Sequence, residues 1–391
     1  MIRKKKIWFL LLAGFAFITC KKSYNPKIIS DPNSYLVVEG IISSGNDSTI
    51  VKLSKTVKIT DDVKTAVVDN CTVSVEDEGG NGIALKPEGN GLYTSPVLGL
   101  DVTKKYRLHI ITSDSKEYAS DYVEVKKNPP VDSIGFTIKQ GNLQIYVNTH
   151  DVTNNTRYYR WSYEEAWRFH SKYSSSYIVD QIQKKVVPRP SSEQNYYCFT
   201  GDLSSTIVIG SSAKLTQDVI YQAPVTTISP ESEKIELRYS ILVKQYALTK
   251  EAYQFWENLK KNTEQLGSIF DAQPSQLTGN IHNLKNAAEP VIGYISITNT
   301  QTKRVFIDNA DLPREWVAKY PYDCEADSAL FYNPISMQDE VRLLIIDGNG
   351  IPIQGITKSG QTAGYTYSTL DCVDCRIRGR VQAPSFWIER K

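Results

Sequence analysis

The sequence predicts a mainly β protein: an N-terminal β-sandwich of the immunoglobulin or transthyretin type, followed by a larger β-rich domain with one amphipathic helix. Three observations lead there. The 391 residues include 24 Tyr and 6 Trp against only 2 Met and 4 His, and aromatic rings pack well on pleated, half-buried surfaces. Apolar and polar residues alternate along many short stretches: in 49–57, Val51, Leu53 and Val57 share one face while Lys52, Ser54 and Thr56 take the other. Turn-forming clusters separate these stretches, among them Asp77-Glu78-Gly79-Gly80-Asn81-Gly82, whose residues tolerate positive φ. At 41% hydrophobic and 23% charged, the chain has ample apolar material for packed cores, and its length fits two or three domains.

The elements follow in order. Residues 1–19 carry a cationic patch (Arg3, Lys4, Lys5, Lys6), an apolar run over 7–18 too short to span a bilayer, and small Thr19 before Cys20. This is the layout of a lipoprotein signal peptide, with Cys20 as the lipidated first residue of the mature chain. Without the leader the net charge falls from +2 to slightly negative, which argues against a nucleic-acid partner. Residues 20–34 are a polar, Pro-containing tether. Alternating stretches at 35–42, 49–57, 71–77, 105–111 and 117–125 make 35–127 the sandwich domain. Lys126-Lys127-Asn128-Pro129-Pro130 then breaks the ladder pattern and marks a boundary.

The larger domain is assigned to 131–391. Its strand at 157–167 places Tyr159, Trp161, Tyr163 and Trp167 on one face, and 235–245 does the same for Ile235, Leu237, Tyr239, Ile241 and Val243. A helix is expected near 249–265, where Leu248, Ala252, Phe255, Trp256 and Leu259 recur at helical spacing behind a Thr249 N-cap. Glu251 in the first turn and Lys260-Lys261 towards the end suit the helix dipole. β-like stretches return at 291–298, 302–307 and 341–346.

Candidate chemistry is sparse. Lipidation of Cys20 leaves Cys71, Cys198, Cys324, Cys372 and Cys375, an odd number in an oxidising envelope. Cys71 shares strand parity with Val73 and Val75 and is expected reduced in the first core. The other four are expected to form two disulfides, with three pairings open. A Cys₄ zinc site built on Cys372-x-x-Cys375 is the alternative, but a second Cys-x-x-Cys is missing, so neither metal nor cofactor is assigned. His109, His150, His170 and His282 show no His-Glu-x-x-His spacing, and His109 is expected to face solvent. Neither a Gly-x-Ser-x-Gly elbow nor a phosphate-binding loop occurs. Glu164 and Glu165 fall on opposite strand faces. No catalytic residue is nominated, and the expectation is a protein that is not an enzyme. Tyr159, Trp161, Tyr163 and Trp167 are weak ligand-binding candidates as a stacking platform, although the same row suits the core face of a strand. The polar loop 171–192, ending in Pro188-Arg189-Pro190, is the stronger surface candidate.

Several motifs stand in fixed order: Leu36-Val37-Val38-Glu39-Gly40, Gly267-Ser268-Ile269-Phe270-Asp271, Pro274-Ser275, Gly279-Asn280-Ile281, Val291-Ile292-Gly293-Tyr294, Cys372-Val373-Asp374-Cys375-Arg376 and Pro384-Ser385-Phe386-Trp387. Together they resemble a Bacteroidota outer-membrane lipoprotein family catalogued as domain of unknown function 4249. Arg380 departs from the glycine expected in its C-terminal motif, and Lys21-Lys22 replaces the acidic run that often marks surface export. The resemblance implies no established activity; it implies a lipid-anchored place in the outer membrane and, from gene neighbours of the family, an accessory role beside a TonB-dependent receptor. The alternatives are a surface adhesin or structural envelope lipoprotein, and a glycan-active β-sandwich enzyme. The ligand and the membrane face, periplasmic or surface, stay open at this point.

Overall fold

The computed structural model describes residues 34–57, 66–264, 279–320 and 323–390. Cys20, the leader and the motif residues 267–275 lie outside them. The described chain is mainly β and forms three bodies, each around its own core.

In the first body twelve strands join one sheet. Eight of them pair in a closed circuit: Lys105–Ile111, Thr72–Asp77, Gly82–Gly89, Leu92–Ser95, Thr49–Lys55, Leu36–Ser43, Ser296–Thr298, Val123–Lys126, and back to Lys105–Ile111 through Tyr106 and Val123. The expected immunoglobulin- or transthyretin-type sandwich is therefore corrected, because the ladder closes on itself instead of ending in open edges. The alternation still supplies the core: Val51, Leu53, Val73, Val75, Leu108 and Ile110 all point inward and are buried. Cys71 sits in the same core as a free thiol, with its N–H donating to the Tyr93 hydroxyl at 3.0 Å.

The assignment of all of 131–391 to a second domain is also corrected. Residues 281–298 return to the first body, where Ser296–Thr298 lies parallel to both Leu36–Ser43 and Val123–Lys126. Parallel pairing needs a long crossover, and local alternation carries no information about so distant a partner. The glycine motifs make the return possible. A Cβ on Gly279 would stand 1.9 Å from the Gly293 carbonyl oxygen, and one on Gly293, at φ +142°, would stand 2.2 Å from that of Val38. Buried Asn280 locks the strap by donating its amide to the Ile295 carbonyl (3.0 Å) and accepting the Ile295 N–H (2.9 Å).

The second body packs two sheets face to face. One comprises Val131–Lys139, Asn142–Asp151 and Asp218–Ile228; the other is Tyr197–Leu203, Tyr158–His170, Arg238–Leu248 and Gln301–Asp308, with Val208–Ser211 on the flank of Tyr158–His170. Leu143, Ile145 and Val147 meet Trp161, Tyr239, Ile241 and Val243 between them. Helix α1, Lys250–Glu264, lies on the outer face of the second sheet, with Thr249 Oγ1 accepting the Ala252 N–H at 3.2 Å.

A small third body replaces two expectations. The expected loop at 171–192 contains the hairpin Tyr177–Asp180 and Lys185–Pro188, whose Tyr177, Val179 and Val186 pack on Ala329, Val341, Ile345 and Tyr365. The expected strand at 341–346 is a π-helical turn, Val341–Ile346, which buries Val341 and Ile345 four residues apart. A short apolar run does not reveal its own period, so packing decides it. Disulfide Cys198–Cys375 ties the chain that follows this body to strand Tyr197–Leu203 of the second, and Cys324–Cys372 joins the chain just before Asp327–Leu330 to the chain just after Gln361–Ser368. They span 177 and 48 residues of chain, and loops of that size stabilise by roughly 4–5 kcal/mol each in the chain-entropy picture. At the C terminus Gly379 packs against the Phe199 carbonyl, while Arg380 bridges Phe199 through its backbone alone, so a side chain is tolerated at 380.

Candidate functional site

The aromatic row of Tyr158–His170 is core. Tyr159, Trp161 and Tyr163 are buried between the two sheets, and Trp167 is half-buried beside them with its indole N–H on Glu233. They form no stacking platform, because the neighbouring sheet covers them. Their polar atoms are paired inside: the Tyr159 hydroxyl donates to Asp218 (2.6 Å), and Trp161 Nε1 donates to Gln245 Oε1 (2.9 Å). Burial first, then the adjacent carboxylate, raises the hydroxyl pKa of both Tyr159, beside Asp218, and Tyr239, beside Glu165.

Gln245 also fixes the junction with the first body. Its amide nitrogen donates to Pro129 O (2.8 Å), Asn128 Oδ1 and Thr149 Oγ1 (both 3.1 Å). Asn128 in turn donates its side-chain amide to the backbone carbonyls of Gln245 and Asn299, and Asn299 Oδ1 accepts the Asn128 N–H at 2.8 Å. The chain thus crosses between the bodies at 127–130 and at 299–300 side by side, riveted by buried, mutually satisfied amides.

Beside this junction the two bodies and α1 enclose a cleft of about 730 Å³, within the usual size of small-molecule sites. Its first wall comes from Leu36–Ser43 and the 291–294 strap; its second is α1 through Phe255, Trp256 and Leu259; its third is the outer face of the second sheet, through Arg160, Lys244, Tyr246 and Thr302. The register places Arg160 opposite Tyr246. The guanidinium carbon lies 3.8 Å from the Trp256 ring centre and 5.8 Å from that of Tyr246. Burial pushes its pKa down, opposed by Tyr246 and Glu39. Phe255 packs on Tyr294 at 5.5 Å and so joins the helix wall to the strap. The neighbouring charges are matched, Lys244 with Glu164 and Glu39 with Lys52, and Asp47 is exposed to water.

The other candidates resolve elsewhere. All four cysteines expected to crosslink do so, which answers the zinc alternative; among the described residues no group of three or more His, Cys, Asp or Glu is placed to hold a metal ion. His109 does not face solvent freely: it is wedged between Glu76 (2.7 Å) and Glu117 (2.9 Å). His150, His170 and His282 each lie beside a carboxylate, Asp132, Glu236 and Asp121. Arg160 escaped sequence reasoning because Tyr158, Arg160, Ser162 and Glu164 have the composition of an ordinary solvated face. Only the docking of α1 turns that face into a wall.

The chain belongs to the family described as Domain of unknown function (DUF4249), whose family model matches residues 21–304. The match spans the first body, the strap and most of the second sheet, and stops short of the Cys372–Trp387 motifs. No curated protein matches the chain. Among solved structures, a two-domain fibronectin type-III segment of chicken tenascin is similar at 12% identity, with 55% of this chain and 93% of that one covered and a TM-score of 0.15, too low a superposition to bear on the fold.

Proposed function

We propose that the protein is a non-enzymatic, lipid-anchored binding or accessory subunit of a TonB-dependent receptor system in the Bacteroidota outer membrane, and that the cleft between its first two bodies is its ligand site. The observation that carries the binding role is the cleft itself: three separate parts of the chain converge on it, and a rigid amide junction holds its walls in register. The order of cationic patch, apolar run, Thr19 and Cys20 supports the anchor, and the family resemblance supports the receptor. An anchored chain meets a membrane partner at high effective concentration, so a modest interface suffices.

Affinity purification of the tagged full chain from gently solubilised outer membranes tests this reading. One dominant β-barrel receptor is expected to co-purify, and Cys20→Ser is expected to release the protein from the membrane fraction. A folded, anchored protein that recovers no barrel partner would favour the adhesin alternative, and release of reducing sugar from a polysaccharide by the purified chain would favour the glycan-active one.

A further inference from the structure

We infer that the cleft takes an organic carboxylate with a flat apolar body, and that Arg160 is the residue that pairs with its carboxylate. The inference rests on the reading of the cleft as a ligand site and adds the chemical class.

Arginines elsewhere in this molecule find oxygen partners. Arg107 donates to Glu76, Arg238 to Asp308 and Arg376 to Asp374. Arg189 donates to Ser175 and to nearby carbonyls, and Arg304 to Ser240. Arg168 and Arg378 reach Glu389 and Glu233, and Arg157 reaches the carbonyls of Leu215 and Thr216. Among the described residues Arg160 is the one half-buried arginine with neither a hydrogen bond nor an ion pair to an oxygen of the protein; Arg168, Arg238 and Arg378 also bury Nε unpaired, as Arg160 does, but each reaches a carboxylate through its terminal nitrogens. A guanidinium removed from water keeps its charge and needs acceptors, so leaving it unpaired is costly.

Its surroundings define the missing acceptor. Stacking on Trp256 occupies a face of the guanidinium and leaves the N–H fork in its plane. A planar carboxylate matches that fork with two parallel charge-assisted bonds. The nearby carboxylates already have partners or stand in water, as Glu39 does beside Lys52 and Glu164 beside Lys244, so they do not fill the position. Ile41, Ile50, Phe255 and Leu259 supply the apolar part of the lining and suit a hydrocarbon or aromatic body.

The test uses two probes of one shape, 2-naphthoate and its neutral isostere 2-naphthamide, titrated calorimetrically into the full-length protein and its Arg160→Gln variant. The wild type is expected to bind the naphthoate at least about tenfold more tightly than the amide, the factor a charge-assisted pair supplies. Arg160→Gln is expected to bring the naphthoate down to the amide's affinity while the amide is unchanged. Equal binding of both probes by the wild type, or a preference that survives in Arg160→Gln, overturns the carboxylate assignment and leaves an apolar ligand site. Parallel loss of both probes in the variant also overturns it, because Arg160 would then only hold the walls. If neither probe saturates the wild type, both the assignment and the reading of the cleft as a ligand site fall.

Discussion

On the inner face of Tyr158–His170, Trp161 packs between two sheets and gives its indole N–H to Gln245; on the outer face, one residue earlier, Arg160 stacks on Trp256 and gives its N–H groups to no protein atom. The same cross-strand ladder pairs Trp161 with Gln245 and Arg160 with Tyr246. Each face therefore combines aromatic rings with strong hydrogen-bonding groups. They differ in whether the polar groups are satisfied within the chain. Inside, the rings and amides pair with one another and hold the fold together. Outside, pairing stops short at a cleft, and the unsatisfied group identifies the place where another molecule fits. In this protein the state of the polar partner separates structure from function, whereas aromatic content does not.

The largest effect on stability is expected at Gln245. Gln245→Leu keeps the volume but strands the Trp161 indole and the acceptors on Asn128, Pro129 and Thr149. It is expected to cost about 3–5 kcal/mol in urea unfolding, since several buried groups lose partners at once. A loss below about 1 kcal/mol would show that the junction is not held by its amides.

The inner hydroxyls come next in expected effect. Tyr159 and Tyr239 have pKa values raised by burial and by Asp218 and Glu165 respectively. In the unfolded chain the hydroxyl ionises near pH ~10, while the folded protein retains the proton. Their stabilisation is thus complete below that pH and is lost as the pH rises beyond it, by about 1.4 kcal/mol per pH unit for each tyrosine. Unfolding measured between pH 8 and 11.5 is expected to show the decline, and Tyr159→Phe with Tyr239→Phe is expected to make it shallower, the remainder coming from other hydroxyls raised by burial, such as those of Tyr93, Tyr118 and Tyr320. Trp161→Phe, which removes one donor and leaves a small void, is expected to cost about 1–3 kcal/mol at neutral pH in the same assay.

Much of this was legible in the residues. Period-two alternation located the inner faces from Val51 to Val243, and the Thr249 cap located α1, because both depend on near neighbours. The expected envelope setting and an odd cysteine count pointed to crosslinks among Cys198, Cys324, Cys372 and Cys375, but their pairing depends on where the chain returns in space. The same limit hid the closed circuit, since Ser296–Thr298 pairs with strands roughly 170 and 250 residues earlier. It also hid the cleft: Arg160, Trp256 and Tyr294 come from a strand, a helix and a returning strap, and no local pattern links them. The glycine and asparagine motifs at 279–294 were visible as a signature, yet their role as a close-packed strap required Val38 to be seen beneath Gly293.

The smallest effect on stability is expected at Arg160. Arg160→Met retains most of the aliphatic stem that packs on Trp256 and removes a charge that lacks a partner in the folded chain. Removing the cation–π attraction to the Trp256 ring costs about 1 kcal/mol; the relief of an unpaired, partly desolvated guanidinium has the opposite sign and similar size. The two effects offset each other, and the net change in urea unfolding is expected to stay within about 1 kcal/mol of zero, far below that of Gln245→Leu across the same ladder. A destabilisation of about 3 kcal/mol or more would mean that Arg160 clamps α1 to the sheet as a structural element. The two faces of the strand would then serve one purpose, and the distinction between paired and unpaired polar groups would lose its functional meaning here.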